Sequence, residues 1–500
     1  MTDALIAAPI LLPALAATAS LVFWLRNRWL GAVISIGAIA GLVLIALLLL
    51  ARASTGQPQA YALGGWPAPF GIVLLLDRLS ALLLLLTAVL ALAVAFHAWM
   101  TGLDRKGWHF HPLLQFQLLG INGAFLTGDL FNLFVFFEVL LIASYALLLH
   151  GQGAQRLTAG LHYVIVNLVG SVLFLFALGL LYGVTGTLNM ADMAVRGALL
   201  PVGDRMIFRA GGYLLATVFA LKAALLPLHL WLPRTYAAAA PPVAALFAVM
   251  TKVGAYALIR TMPLIFGKDA SGVLLMAALA TVILGFAGLL AARGLRELAT
   301  FALLGSTATL LVAVAPLDAP ALAAALYYLP HTTISAALLF LTADLILRWR
   351  GGVEEAIEAS PPYRGKGLLA LLFFCAAIAI IGLPPLSGFI GKLLILEAAL
   401  GRPHDIAIWV VILASSLAAT IGFARAGSRL FWKPAPPDGG ALSRNALAEA
   451  LPAAFLLAFL IFWSVGAGPA TAYAEATARQ LAAANGYVGA VLGPAWERKP

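Results

Sequence analysis

Four charged residues lie inside long apolar runs of this 500-residue sequence: Glu138, Lys222, Lys252 and Lys392. A charge at the centre of a bilayer costs ~2.5–3.5 kcal/mol on insertion scales, so residues that bear this cost are candidates for function. A lysine deprived of water releases its proton more readily, and a nearby carboxylate helps to retain it, so a row of such groups could pass protons. Two alternatives stay open: Glu138 as a buried carboxyl that stays protonated and bonds a neighbouring backbone, and Lys222 or Lys392 reaching an interface.

Two histidines and their hydroxyl neighbours are further candidates for proton transfer. His331, with Thr332 and Thr333 beside it, could relay protons because imidazole titrates near neutral pH. His229, two residues after a proline, is a similar candidate. For both, the alternative is a core histidine satisfied by hydrogen bonds. The single cysteine and the spacing of the histidines favour no metal or haem site, and no nucleotide-binding motif occurs, so we expect no cofactor.

The composition indicates a membrane protein. Hydrophobic residues make up 63% of the chain and charged residues 10%, whereas soluble domains carry about 25% charged residues. This excludes a soluble enzyme, a disordered chain and a disulfide scaffold, and it predicts an all-α polytopic membrane protein. The net charge of +10 comes from Lys and Arg scattered singly or in pairs. Such scatter orients membrane helices and does not indicate nucleic-acid binding.

Apolar runs of about 20 residues, the length that crosses a bilayer, predict about fourteen transmembrane helices. Helices 1–3 fall in residues 1–111, helices 4–8 in 112–262, helices 9–13 in 271–431, and helix 14 with a tail in 432–500. Loops after odd-numbered helices hold fifteen Lys and Arg, and the other loops hold six. The richer side should be cytoplasmic. Both termini are then external, in the cell inner (plasma) membrane.

Helices six and eleven share a polar pattern 164 residues apart. The pattern Tyr-x3-polar-x3-Ser-x4-Phe occurs at Tyr163, Asn167, Ser171 and Phe176 and again at Tyr327, His331, Ser335 and Phe340. An offset of five helices places the second copy upside down in the membrane, which is the inverted repeat of many secondary transporters.

Helices seven and twelve, also five apart, carry prolines close to their lysines. Pro227 follows Lys222, and Pro384 and Pro385 precede Lys392. Proline removes a backbone donor and clashes with the preceding turn, so we expect both helices to be discontinuous. Paired broken helices indicate a transport site. An ordinary proline kink is the alternative for either helix.

The segments that carry these residues resemble a known family. They read GDLFNLFVFFEVLLIASYALL, LKAALLPLHLWLPRTYAAAAPPVAALFAVMTKVGAYALIR and GLPPLSGFIGKLLILEAAL. They are similar to the proton-translocating antiporter-like subunits of complex I and of Mrp-type (Mnh or Pha) multisubunit monovalent cation/proton antiporters. The chain length and a lysine at position 392 are most similar to the D-type member of the Mrp subunits.

The resemblance implies fourteen helices with two inverted five-helix repeats, helices 4–8 and 9–13, and discontinuous helices 7 and 12. By motif, Glu138 and Lys222 would load the proton, Lys252 would relay it and Lys392 would end the path. His331 matches the helix-eleven histidine of the family. Relatives in complex I often have a lysine four residues later, where this chain has Ser335, so Ser335, Thr332 and Thr333 would have to bridge the gap.

The resulting hypothesis is a secondary transporter subunit, not an enzyme, that moves protons in a multisubunit Na⁺(K⁺)/H⁺ antiporter. Its expected partners are the other antiporter subunits, protons, Na⁺ or K⁺, and membrane lipid, without nucleic acid. One alternative is a proton-pumping subunit of complex I or a related redox complex, and a second is a non-conducting scaffold. The sequence leaves open the cation and the roles of Glu397, segment 186–209 and the tail. It predicts an ion pair between Asp344 and Arg348.

Overall fold

The computed structural model describes residues 3–24, 27–107, 109–350, 356–358, 365–432 and 446–493. Four basic residues used in the loop count, Arg26, Arg364, Lys433 and Arg444, lie outside this part. The first half comprises α1 Ala8–Trp24, α2 Arg28–Ala53, β1 Gln59–Ala62, β2 Val73–Leu76, α3 Arg78–Thr101, α4 Phe110–Leu126, α5 Leu130–Leu148, α6 Ala154–Thr185, α7 Met190–Ala198, α8 Val202–Lys222, α9 Trp231–Ala238, α10 Pro241–Phe247 and α11 Met250–Thr261.

The second half is also helical. It comprises α12 Ser271–Ala291, α13 Leu295–Val314, α14 Ala319–Trp349, α15 Lys366–Ile381, α16 Ser387–Ala399, α17 Asp405–Gly427, α18 Ala446–Val465, α19 Ala467–Ala482 and α20 Ala484–Leu492. Within the described residues, eleven helical stretches are long and apolar enough to cross a membrane. The all-α membrane fold is thus confirmed. The count of fourteen also needs α4 and the interrupted pairs α8–α9 and α15–α16, and it stays a prediction.

A short hairpin stands where the sequence predicts the start of the third span. Strands β1 and β2 pair antiparallel, with Gln59 opposite Leu76, and α3 begins only at Arg78. The cause is a capping box: the Asp77 side chain accepts from the backbone N–H of Ser80 (2.9 Å), and the Ser80 hydroxyl accepts from that of Asp77 (2.9 Å). We call the end of the bundle that carries this hairpin the hairpin end, and the other the opposite end.

Helix seven is interrupted, as predicted. α8 ends at Lys222, and the chain leaves the helical path until Trp231 begins α9. The Trp231 indole donates to the carbonyl of Leu221 (3.0 Å), and the backbone N–H of Leu226 donates to the Thr281 hydroxyl (2.8 Å). Side chains of the protein therefore satisfy backbone groups that the break sets free, which is the condition for non-helical chain at membrane depth.

Helix twelve is interrupted in the same manner, between Ile381 and Ser387. Gly382 takes a left-handed conformation (φ 81°) at the end of α15, a conformation that glycine adopts without steric cost. Both interruptions separate complete helical segments, so the proline-kink alternative is wrong for both.

The tail and segment 186–209 pack onto the chain itself. Segment 186–209 forms α7 and the first turns of α8, and the tail, as far as residue 493, forms α19 and α20. The Tyr473 hydroxyl donates to the carbonyl of Arg78 (2.9 Å), and the Gln480 amide donates to that of Gly56 (2.8 Å). The tail thus covers the hairpin end.

At the opposite end, the predicted pairing of Asp344 is wrong. Its carboxylate contacts His97 Nε2 (2.9 Å), which joins α14 to α3, and Arg348 instead donates to the carbonyl of Thr101 (2.8 Å). The tertiary contact with His97 replaces the pair expected from helical spacing.

Candidate proton path

Glu138 lies halfway along α5, and its half-buried carboxylate accepts a hydrogen bond from the Ser171 hydroxyl of α6. Ser171 also donates to the carbonyl of Asn167, one turn earlier on α6 (3.1 Å). Among the described residues, the hydrogen-bond partner of the carboxylate is thus a side chain of another helix and not a backbone group.

Lys222 is the last residue of α8 and is buried. Its ammonium donates to the side-chain oxygen of Asn167 (3.1 Å) and lies 5.9 Å from the centre of the Phe137 ring. Glu138 and Lys222 thus bind two α6 side chains that are one turn apart. In the described part of the chain the link between them runs through Asn167 and Ser171, and not through a direct ion pair.

Lys252 is fully buried on α11. Its ammonium donates to the hydroxyl of Thr307 on α13 (2.9 Å) and to that of Thr251 (3.4 Å). α11 also packs closely against the break of helix seven. This packing requires glycine at position 254, because a Cβ there would lie 2.6 Å from the backbone nitrogen of Ala223. Lys252 therefore joins the first predicted repeat to the second.

His331, fully buried on α14, faces the break of helix twelve. Its Nδ1 contacts the Ser387 hydroxyl (2.9 Å). Gly388 is required here, since a Cβ at that position would lie 2.0 Å from the carbonyl oxygen of Ala379 and 2.9 Å from the His331 ring. The imidazole thus lies against the first turn of α16.

Two hydroxyl neighbours of His331 have different surroundings. The Thr332 hydroxyl bonds with that of Ser306 on α13 (2.7 Å), one residue before Thr307. Ser335 instead contacts the carbonyl of Thr332 on its own helix (3.5 Å). Thr332 therefore links α14 to the helix that holds Lys252, whereas Ser335 makes no such link.

Lys392 lies on α16, one and a half turns beyond the break, and is buried. Its ammonium donates to the carbonyl of Ile381 (2.8 Å) and to the Ser416 hydroxyl of α17 (2.8 Å). The ammonium groups of Lys222 and Lys392 therefore bind residues of other helices inside the protein, which contradicts the interfacial alternative.

His229 and Glu397 lie apart from the row of ionisable residues described above, which comprises Glu138, Lys222, Lys252, His331 and Lys392. His229 is half-buried in the break of helix seven, and its Nδ1 has no partner among the described residues. Glu397 is exposed at the hairpin end, in a cleft of about 440 Å³ that Glu475 and Arg479 also line. The structure gives neither residue a contact with the buried lysines.

Several hydroxyl partners of the path were missed by sequence reasoning: Thr307 and Ser416, which bind lysines, Ser387, which contacts His331, and Ser306, which bonds with Thr332. Single hydroxyls are common in apolar helices, and only tertiary contact distinguishes these. Arg260 was also missed, although a signal existed: a second cation lies eight residues after Lys252 in the same apolar run. Among the described residues, no cluster of three or more His, Cys, Asp or Glu could hold a metal ion.

Comparison with known proteins places this arrangement in a family. The model of the transmembrane family "NADH:quinone oxidoreductase/Mrp antiporter" matches residues 127–421, the region that contains every ionisable residue of the row. The chain belongs to this family. It is 42% identical to the D-type subunit of a probable K⁺/H⁺ antiporter of Rhizobium meliloti strain 1021, over 96% of both chains. It is 35% identical to the D-type subunit of a Na⁺/H⁺ antiporter of Bacillus subtilis strain 168, over 97% of this chain and 98% of the relative.

Two solved structures have the same fold as this chain. A chain of the Mrp complex from Dietzia sp. DQ12-45-1b superposes with a TM-score of 0.88 at 28% identity, over 98% of this chain and 99% of that one. A chain of an archaeal membrane-bound sulfane sulfur reductase also gives 0.88, at 25% identity, over 97% and 99%. The same fold thus occurs in two complexes that have different names and activities.

Proposed function

We propose that this chain is the proton-translocating subunit of a multisubunit Na⁺(K⁺)/H⁺ antiporter, a secondary transporter and not an enzyme. The observation that carries the proposal is the row of ionisable groups on α5, α8, α11, α14 and α16: Glu138, which is half-buried, and Lys222, Lys252, His331 and Lys392, which are buried. Amide and hydroxyl side chains of neighbouring helices bind each of them. The antiporter names of the two relatives agree with this function.

Glu138 and Lys222 form the loading pair. A nearby carboxylate favours the protonated lysine, and a change in the distance between the two charges releases the proton. Ser171 and Asn167, which lie one turn apart on α6 and bind the two charges, set that distance. A small rotation of α6 would change both contacts together, so it is a mechanical means of coupling loading to release.

Lys252 accepts the proton next and passes it towards the second predicted repeat. Thr307 binds its ammonium, and the adjacent Ser306 binds Thr332, so the hydroxyls of α13 connect Lys252 with the helix of His331. Ser335 has a minor role because its hydroxyl turns back to its own helix. His331 then hands the proton across the break to Lys392, whose position on α16 makes it the last group of the row.

The opposite end faces the cytoplasm and the hairpin end faces outwards, because the loops at the opposite end carry more Lys and Arg. Both termini are then external, and the membrane is the plasma membrane. External protons move in down the potential, and each releases ~2.3 kcal/mol per 100 mV. The other subunits of the complex are the partners, and exchange of internal Na⁺ or K⁺ consumes this energy.

The test is cation-dependent proton exchange in inverted vesicles that carry the whole complex. We expect Glu138→Ala and Glu138→Gln to abolish exchange, whereas Glu475→Gln, which changes an exposed carboxylate of α19, leaves it unchanged. Unchanged exchange in both Glu138 variants, at equal amounts of complex, would sink the assignment.

A redox complex is the second candidate, because the sulfane sulfur reductase chain superposes as well as the Mrp chain does. It predicts that redox subunits copurify with the chain and that proton movement depends on an electron donor. The scaffold alternative predicts something different: Lys222→Met and Lys392→Met would lower activity only as far as they lower assembly, which a native gel measures.

A further inference from the structure

A buried ion pair involves the helix of Lys252, closer to the hairpin end. Arg260 of α11 contacts the carboxylate of Asp77, the residue that caps α3 (2.7 Å), and each side chain is 3% exposed. Arg260 follows Lys252 by eight residues, about 12 Å along the helix axis. Because Lys252, Tyr256 and Arg260 are spaced by four residues, they share one face of α11.

Aromatic rings enclose the guanidinium on two sides. Its central carbon lies 5.5 Å from the centre of the Tyr256 ring and 5.4 Å from that of Tyr487. The Tyr256 hydroxyl accepts a hydrogen bond from Arg260 Nε (3.3 Å) and donates to the carbonyl of Phe125 (2.9 Å). Packing of this kind holds a guanidinium in one place by cation–π attraction.

The second ring comes from the last described helix. Tyr487 of α20 is buried, and its hydroxyl contacts the sulfur of Met190 on α7 (3.7 Å). α19 is tied to the same region because Gln480 accepts from the backbone N–H of Arg78 (3.1 Å). The C-terminal helices therefore cover the Arg260–Asp77 pair from the hairpin end.

We propose that the Arg260–Asp77 pair, covered by Tyr487, is an electrostatic barrier that keeps protons on Lys252 from leaving directly through the hairpin end. The inference rests on the proposed proton path. A guanidinium stays charged at every physiological pH, and a fixed positive charge in a narrow passage excludes protons and other cations. A proton on Lys252 can then only return to Lys222 or go on to His331. Arg260 therefore acts through Lys252, and it is not itself a group that carries the proton.

The experiment measures passive proton leak in liposomes that contain the whole purified complex. A pH gradient is imposed with Na⁺ and K⁺ replaced by a large organic cation, and its decay is normalised to the amount of complex. We expect Arg260→Gln to raise the leak about tenfold, which corresponds to a barrier lowered by roughly 1.4 kcal/mol. Arg260→Lys, which keeps the positive charge, should restore the low leak. The matched control is Arg402→Gln, since Arg402 also pairs with an aspartate at the hairpin end.

Adding Lys252→Met to Arg260→Gln should abolish the extra leak, because the leaking protons come from Lys252. A purely structural ion pair would not produce this suppression. If Arg260→Gln leaves too little complex to measure, Tyr487→Ala removes the cover and keeps both charges, and its leak should rise severalfold. The barrier proposal is wrong if the variants that assemble leak protons no faster than the wild type. It is also wrong if the extra leak persists when Lys252 is replaced. The outcome is independent of the Glu138 exchange assay, so failure of either proposal is recognised separately.

Discussion

Lys392 donates a hydrogen bond to the carbonyl of Ile381, the residue that ends the helix on the far side of the break. The last carbonyls of a helix carry partial negative charge, and a cation beside them is stabilised. A proton on Lys392 therefore strengthens the contact that holds α15 and α16 together, so the charge of the terminal group and the geometry of the break depend on each other.

Replacing Lys392 with methionine should loosen the break of helix twelve and abolish cation/proton exchange. The loss of a cation at a partly buried helix end is worth about 1–2 kcal/mol, so amide hydrogen exchange in residues 379–390 should become roughly 5–30 times faster. Lys392→Arg keeps the charge and should protect these amides better than methionine does. Equal amide protection in wild type and Lys392→Met would show that the contact does not hold the break.

The two α6 side chains that hold the loading pair should each be needed for exchange. Asn167→Ala and Ser171→Ala remove one hydrogen bond to a charged group, worth about 1.5–3 kcal/mol, so we expect the exchange rate to fall roughly tenfold or more in vesicles. Ser144→Ala is the matched control, because the Ser144 hydroxyl bonds with that of Tyr163 (2.9 Å), on the same face of α6 but away from either charge. If Ser144→Ala lost as much exchange activity as the α6 variants, their effect would be due to packing and not to the bonds with the charged groups.

Thr307→Val should impair transfer between the two predicted repeats, since valine keeps the shape of threonine and removes the hydroxyl that Lys252 binds. Thr300→Val on the same helix removes a hydroxyl that donates to the carbonyl of Arg296 (2.8 Å), and it should leave exchange near the wild-type rate. The prediction fails if both variants exchange protons equally fast in inverted vesicles.

The contact between Asp318 and Arg402 should persist at neutral pH and weaken only in acid. Burial raises the pKa of Asp318, but the hydrogen bonds from Arg402 and from the backbone of Ala321 outweigh it, so its pKa lies below the ordinary value of 3.8. A group with a lowered pKa stabilises the fold above its unfolded value and loses this contribution as the pH falls through the folded value.

Limited proteolysis of the loop at residues 400–404 between pH 7 and pH 3 would measure this change. Asp318→Asn should make the loop sensitive at every pH. Asp269→Asn, in a more exposed pair with Arg209, should leave the profile unchanged. A loop that opens already near pH 6 in the wild type would contradict the direction of the shift.

The charged row was predictable because charges in an apolar run are rare and expensive. Glu138, Lys222 and Lys252 are each conspicuous for this reason, and prolines beside two of the lysines predicted both breaks. Their partners were not predictable, because a threonine such as Thr307 becomes functional only through contact with another helix. Burial and contacts of the row are thus known from the structure, while the transport roles of its members stay predictions.

The β-hairpin escaped prediction for a different reason. Val73–Leu76 is a short apolar run next to a longer one, and periodicity alone does not separate a buried strand from a helix. Asp344 shows the same limit: spacing favoured Arg348, but His97 of a distant helix lies closer to it in the fold. In both cases a tertiary contact overrode a local preference.

Tyr487 reaches Arg260 from a segment that the ribosome makes roughly 230 residues later, about 10–45 s at ~5–20 residues per second. The helices that carry Arg260 and Asp77 are therefore inserted into the membrane well before their cover exists. The hairpin end is completed only after residue 487 has been made, and a protein truncated between Lys392 and Tyr487 would already have its ionisable row while still lacking the cover.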